Sequence, residues 1–278
     1  MSLNTMQKIA VGFLGVILLG AVLLWLPVSN QEPIAFADAL FTAVSAVCVT
    51  GLVTITPAVQ FTVIGKGILL VLIQIGGLGV IACMVAFFLI IKKKITMKER
   101  VVIQQTYSLD TLTGMVQFVI RILRGTFVVE GIGALLYSIR FIPEYGLVEG
   151  ICYSVFHAVS AFCNAGIDIL GNSSYMGYVK SPIVSLTTIF LIVLGGLGFP
   201  VWHDIYTNTK RVIIQRQPPR RLFMRLKLQT KIVLTMTAVL LITGFLGFFV
   251  LEYKNPETMG GLNFWQKLMA SGFQSVTT

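Results

Sequence analysis

The chain has 278 residues, 56% of them hydrophobic and 12% charged, with a formal net charge of +10 and a mean hydropathy of +0.87. So few charges cannot coat a soluble globule of this length, and the composition predicts an integral membrane protein. The positive balance does not point to nucleic acid, because 15 of the 21 Lys and Arg residues fall in two loops, seven between Lys92 and Arg124 and eight between Lys210 and Lys231.

Crossing hydrocarbon takes about 20 helical residues, and apolar stretches of that order lie at 9–26, 65–91, 116–139, 183–205 and 229–251. The period-two alternation of a membrane barrel is absent, so the expected fold class is an all-α membrane protein with five full spans. The first span follows Lys8 as a signal peptide would. Trp25, Leu26 and Pro27 occupy the places where small cleavage residues belong, so it reads as a retained helix. Between the first two spans a shorter apolar segment, 35–50, runs up to Gly51. A counterpart, 151–164, stands between the third and fourth spans and runs up to Gly166.

These short segments are copies. Phe41 to Gly51 recurs 115 positions later as Phe156 to Gly166, with seven of eleven residues identical. Gly76-Gly77-Leu78-Gly79 recurs as Gly195-Gly196-Leu197-Gly198. The order of span, short segment ending in Gly, and second span carrying Gly-Gly-Leu-Gly therefore occurs twice in tandem. The expected organisation is a first unit at 1–100, a second at 101–210, a basic cytosolic linker at 211–228, and an incomplete third unit at 229–278.

Charge sets the expected topology. If 35–50 and 151–164 crossed completely, the two basic loops would lie on opposite faces, against the positive-inside rule. If each enters and leaves on one side, both loops and the N-terminus are cytoplasmic. About 13 helical residues rise only about 20 Å, too little for a core of roughly 30 Å. A half-helix followed by irregular backbone is expected, and such backbone is tolerated at membrane depth only where protein buries it or it lines a cavity. The half-helices aim their negative dipole ends inward, which favours a cation there. Carbonyl oxygens around Val49, Thr50, Gly51, Leu52, Asn164, Ala165, Gly166 and Ile167 are the candidate ligands, in the manner of cation-selective filters. The plainer alternative is that Gly51 and Gly166 end helices and do nothing else.

On these residues the chain resembles the Trk/Ktr/HKT superfamily of K⁺ transporters, and within it the KtrB type of membrane subunit. The likeness rests on Asp38 to Ala43 and Val49 to Leu52, on Ile73 to Gly79, on Lys98-Glu99-Arg100, on Ser138-Ile139-Arg140, and on Phe156 to Gly166. The resemblance implies four fused units of span, pore loop and span around one ion path, each giving one filter glycine. It also implies K⁺ and either no Na⁺ requirement or an Na⁺-assisted path, a homodimer, and a cytosolic nucleotide-binding regulatory subunit of the RCK/KtrA type. Aligning Phe273 with Phe41 places the third filter glycine beyond Thr278, so the expectation is a truncated or split product that conducts only when the missing segments are supplied.

Other residues carry two readings each. Glu130, alone in an apolar run, is a helix or vestibule acid, or a protonated or locally paired structural residue. Gly76, Gly77, Gly79, Gly195, Gly196 and Gly198 mark close helix contact or a flexible point. Cys48, Cys83, Cys152 and Cys163 have no metal-type spacing and read as buried small hydrophobes. His157, which replaces Thr42 in the second copy, reads as a packing residue, and His203 with Asp204 as interface residues. The basic loop Lys210 to Lys231 suits anionic lipid. No polar constellation suggests an enzyme. A secondary transporter with broken helices is the rival to a pore, and the parallel order of the repeats favours the pore.

Overall fold

The computed structural model describes residues 5–91, 100–101, 104, 115–171, 174–216, 218 and 220–278. Lys92, Lys93, Lys94, Lys98 and Glu99 lie outside these, so the first basic cluster and the Lys98-Glu99-Arg100 motif are not described beyond Arg100. Contacts divide the chain into two compact units, Met1–Gly177 and Tyr178–Thr278. Regular structure among the described residues is helical, apart from one isolated bridge between Asn30 and Phe61.

In the first unit, α1 (Thr5–Trp25) is followed by a short helix, α2 (Phe36–Val47), then by α3 (Val63–Leu78) and α4 (Val80–Ile90). Asn30 and Ser29 cap the open carbonyls at the end of α1. The Asn30 amide donates to Leu24 and Leu26 oxygens at 2.6 and 3.1 Å, and the Ser29 hydroxyl to Leu23 O at 2.7 Å. The same stretch binds the start of α3 through Thr62 N to Ser29 O at 3.0 Å and Gln31 N to Gln60 O at 2.8 Å. Thr62 then N-caps α3, accepting from Gly65 N at 3.2 Å.

The long helix α5 (Met115–Tyr145) turns at Gly146, φ +85°, into α6 (Leu147–Phe162), which doubles back along it. A Cβ on Gly150 would meet Ile142 Cα at 2.7 Å, so the two helices cross at a glycine. Tyr137 and Phe141 stack and both meet His157 edge-on. The short segment predicted at 151–164 thus begins four residues earlier, because the hairpin turn at Gly146 starts it.

In the second unit, α7 (Pro182–Gly196) bends into α8 (Phe199–Ile214), a short basic helix α9 (Arg220–Arg225) follows, and α10 (Leu228–Glu252) leads to α11 (Phe264–Thr277). Asn263 and Gln266 form a capping box at the start of α11. This helix returns along α10, where Ser275 Oγ donates to Leu241 O at 2.8 Å beside Gly244. Lys267 Nζ donates to Tyr253 O at 2.6 Å and sits 4.1 Å from that ring's centroid. A long apolar helix folding back as a short one therefore recurs at α1–α2, α5–α6 and α10–α11.

Among the described residues, α10 alone is a single helix long and apolar enough to cross a membrane, and two bent pairs pass the same test together. One pair joins Val63–Leu78 to Ala82–Phe88 at 108°, the other Pro182–Gly196 to Phe199–Ile214 at 95°. The stretches 65–91 and 183–205, expected as full spans with close contact or a flexible point at Gly-Gly-Leu-Gly, are each broken. The break falls at the last glycine of the repeated motif, Gly79 at φ +82° and Gly198 at φ +84°, a backbone region that disfavours side-chain-bearing residues.

Asp204 corrects the expectation of an interface residue. It is buried and holds the start of α10, accepting from Lys227 N at 2.9 Å and Thr230 Oγ1 at 2.7 Å. Its other oxygen accepts from Asn208 Nδ2 at 2.9 Å. The sequence hid this because the partners lie up to 26 residues away. Asp204→Ala strands these donors in the interior and is expected to destabilise the protein by about 3 kcal/mol, read as a lowered melting temperature in detergent. Unchanged melting would mean that water replaces the carboxylate without cost.

Candidate functional site

Both short helices end in the same hydrogen-bonded turn. After α2, Val49 N donates to Ala46 O at 3.3 Å and Thr50 N to Ser45 O at 2.8 Å. After α6, Asn164 N donates to Ala161 O at 3.1 Å and Ala165 N to Ser160 O at 2.8 Å. This is the Schellman pattern, in which a left-handed residue closes the helix and satisfies carbonyls that the helix leaves open. The left-handed residues are Val49, φ +56°, and Asn164, φ +57°. The turn is therefore made without the glycines. Gly51, φ +81°, and Gly166, φ +68°, lie two residues further on and repeat the positive φ after one intervening residue. The reading of these glycines as bare helix ends does not fit this geometry.

The two returning strands meet. A Cβ built on Gly51 would stand 2.6 Å from Ala165 O and 3.5 Å from Gly166 Cα, and one on Gly166 would stand 3.7 Å from Gly51 Cα. Gly51 and the Ala165–Gly166 pair, from copies 115 positions apart in sequence, lie together, and a side chain on Gly51 would run into the Ala165 oxygen whereas one on Gly166 would make only ordinary contact. Thr50, Asn164 and Gly166 are exposed there, and Ala165 is buried.

The strands are held unequally. Ser160 Oγ donates to Ile167 O at 2.5 Å, and His157 Nε2 accepts from Ile169 N at 3.5 Å, with Nδ1 2.7 Å from Tyr153 O. That pairing assigns the proton to Nδ1. Asp168 accepts from Leu170 N at 3.1 Å and Ser174 Oγ at 2.7 Å. Ile167 is 2% exposed. In the first copy, Thr42 is too short to reach the strand and donates to Asp38 O at 2.8 Å instead. Ser45 Oγ is buried without a partner, and Leu52 is 61% exposed. Thr54 Oγ1 to Asp38 Oδ1, 2.9 Å, ties that strand further along. His157 is thus the packing residue expected, and it also fastens the strand. Ser160 and Asp168 were not singled out from sequence, although the identity of Ser45 and Ser160 in the repeat was a signal.

The Gly-Gly-Leu-Gly motif divides by position. A Cβ on Gly76 would collide with the Val47 carbonyl, and one on Gly77 with the Cys163 side chain, so these two let α3 pass beneath both short-helix ends. Gly79 has open space around it and makes the bend. Gly195 and Gly196 close α7, and Gly198 makes the second bend. Contact and bending are both present, at different glycines.

Glu130 has a partner. Gln74 Nε2 donates to its two oxygens at 3.0 and 3.4 Å, and the Cys163 sulfur lies 4.0 Å from Oε1. Glu130 is 5% exposed. The pairing with Gln74, 56 residues away, is invisible in sequence. The cysteines need a correction: Cys163 is buried, Cys83 is half-buried, and Cys48 and Cys152 are exposed. Cys163 is covered by Gly77 and Glu130, and no such cover lies over Cys48 among the described residues.

The family model described as TrkH, cation transport protein, matches residues 2–278. The chain is 42% identical to the Ktr system potassium uptake protein B of Bacillus subtilis, over 98% of this chain and 58% of that protein. It is 40% identical to the potassium/sodium uptake protein NtpJ of Enterococcus hirae, over 99% of this chain and 58% of that protein. It is 36% identical to the Ktr system potassium uptake protein B of Vibrio alginolyticus, over 97% and 57%. The chain spans somewhat under three fifths of the length of these relatives.

A β-branched residue in the left-handed region costs roughly 1–2 kcal/mol, more than glycine's entropic penalty of about 0.5–1 kcal/mol. Val49→Gly is therefore expected to raise the melting temperature. Asn164→Gly should give less or nothing, because Asn tolerates this region. Equal effects from the two substitutions would show that the φ at Val49 stores no strain.

Proposed function

The chain belongs to the TrkH family of cation transport proteins, and from that premise we propose that it forms part of a K⁺ uptake path whose selectivity comes from backbone oxygens. The observation that carries this reading is the pair of matched turns. Two segments with the same hydrogen bonds and the same alternation of φ sign bring Gly51 and Gly166 into contact. A strand that alternates in hand does not send successive carbonyls to opposite sides as a regular strand does. Oxygens of Val49, Thr50, Gly51, Leu52, Asn164, Ala165 and Gly166 line one path and take over the hydration shell of the ion. The Ile167 oxygen, expected among them, is taken by Ser160 Oγ at 2.5 Å and anchors the strand instead. The negative ends of α2 and α6 point to the same place and favour a cation. The work is binding and release of an ion, with no bond made or broken.

The architecture that suits this function has five membrane crossings, with α3–α4 and α7–α8 each one bent span, and with α2, α6 and α11 as re-entrant helices. Lengths of 12 and 16 residues for α2 and α6 correspond to about 18 and 24 Å, short of a crossing. The repeat units run 1–100 and 101–210, with the cytosolic linker at 211–228 and a third unit from 229. The basic loops and the N-terminus face the cytoplasm. They meet anionic lipid and, in the assembled protein, a nucleotide-binding regulatory subunit, and the membrane subunit pairs with a second copy. Na⁺ enters the reading because one relative is named as a potassium/sodium uptake protein.

Gly51→Ser tests the filter, in a chain carried to the full length of its relatives. Its Cβ falls 2.6 Å from Ala165 O at φ +81°, so the neighbouring oxygen must move. The expected outcome is a K⁺/Na⁺ flux ratio lowered by about tenfold or more in vesicles, since ion ligands act only at well-fixed positions. A variant with an unchanged ratio and normal abundance rules the filter out at this position.

A further inference from the structure

Gln74, Glu130 and Cys163 close a triangle among three helices at the base of the second strand. α3 meets α5 through Gln74 Nε2 on the Glu130 carboxylate at 3.0 Å. α5 meets the end of α6 through Glu130 Oε1 and Cys163 Sγ at 4.0 Å. α3 meets the end of α6 through Gly77, whose missing side chain leaves the space that Cys163 fills. Gln74 and Gly77 are three apart on one helix and so share a face. Cys163 immediately precedes Asn164, the left-handed residue that opens the second strand. On the same helix, Gly76 touches the Val47 carbonyl at the end of α2.

We propose that Gln74 and Glu130 are positioning residues that register the second glycine strand against the first, by fixing the end of α6 to the helix that also carries the end of α2. The inference rests on the filter reading above and adds a role that the strand residues themselves do not supply. A buried carboxylate in an apolar span is costly. Three apolar side chains would fill the same volume, but would leave the helices free to slide. A directional hydrogen bond admits one register, which is the best attested use of a buried polar pair. The strand needs that register, because Gly51 leaves no slack against Ala165 O.

The test uses the full-length protein in vesicles, with K⁺ and Na⁺ fluxes measured side by side. Gln74→Leu and Glu130→Leu are each expected to lower the K⁺/Na⁺ ratio by about tenfold to a hundredfold while transport persists. The double variant should be no worse than either single one, because both remove the same contact. The exchange variant, Gln74→Glu with Glu130→Gln, keeps one amide and one carboxylate in contact and should restore the ratio. A helix tie that only stabilises the fold changes abundance and total flux, leaving the ratio where it was. Unaltered ratios in both leucine variants, or an exchange variant as poor as the singles, overturn the proposal. Where a leucine variant does not reach the membrane, the exchange variant alone decides, in either direction. Gly51→Ser separates the two levels. If it lowers the ratio and the Gln74 and Glu130 variants do not, the filter stands and the positioning role fails. If it leaves the ratio intact, the filter reading itself is lost.

Discussion

A chain leaving a helix must find new partners for the carbonyls that the helix leaves open, and the two returning segments after α2 and α6 are organised by that constraint. The turn that closes each short helix uses two main-chain hydrogen bonds to absorb carbonyls that the helix would otherwise leave open. Beyond that turn, the second segment is held through its Ile167 oxygen, which accepts from Ser160 Oγ at 2.5 Å. On the function proposed above, a strand relieved of its helix-end obligations and bent again at a glycine gives its remaining oxygens to an ion.

Around this locus the molecule consists of devices that hold it in place. α3 carries adjacent glycines under the ends of both short helices, so one rod supports two strands. The α5–α6 hairpin is locked by the Gly150 crossing and by the ring cluster of Tyr137, Phe141 and His157. His157 joins that cluster to the strand it fastens, using one ring nitrogen for Tyr153 O and the other for Ile169 N. The copies are equal in backbone and unequal in support. The second strand is tied by Ser160, His157 and Asp168, and the first by Thr54 on Asp38, with Ser45 left unpaired. One residue accounts for much of this. Where the second copy has an imidazole long enough to reach the returning strand, the first has Thr42, whose hydroxyl turns back to its own helix.

The second unit repeats the theme with other chemistry. α11 returns along α10 as α2 and α6 accompany α1 and α5, held by Ser275 on Leu241 O and Lys267 on Tyr253 O. Asp204 secures the other end of α10 from within α8. The bends at Gly79 and Gly198 fall at matching places in the repeat, so the broken second helix is a property of the unit rather than of one copy.

Much of this was legible without coordinates. Hydropathy and repetition marked the helices, the short segments and the paired glycines, since a helix that must meet lipid and a turn that must reach positive φ leave narrow choices of residue type. The α6 boundary was missed by four residues, because Gly146, which starts the hairpin, sits in a stretch with no repeat counterpart to flag it. The two readings of Gly-Gly-Leu-Gly could not be separated in sequence, because contact and bending use the same residue. Only the fold distributes them, Gly76 and Gly77 to contact and Gly79 to the bend. Glu130 looked isolated because its partner is 56 residues away, and Asp204 looked superficial for a similar reason. Local backbone demands and burial periodicity are written in neighbouring residues, and the sequence determined those by itself. Which polar groups find each other across helices depends on distances that exist only after the chain has packed, and the tertiary structure alone decided them.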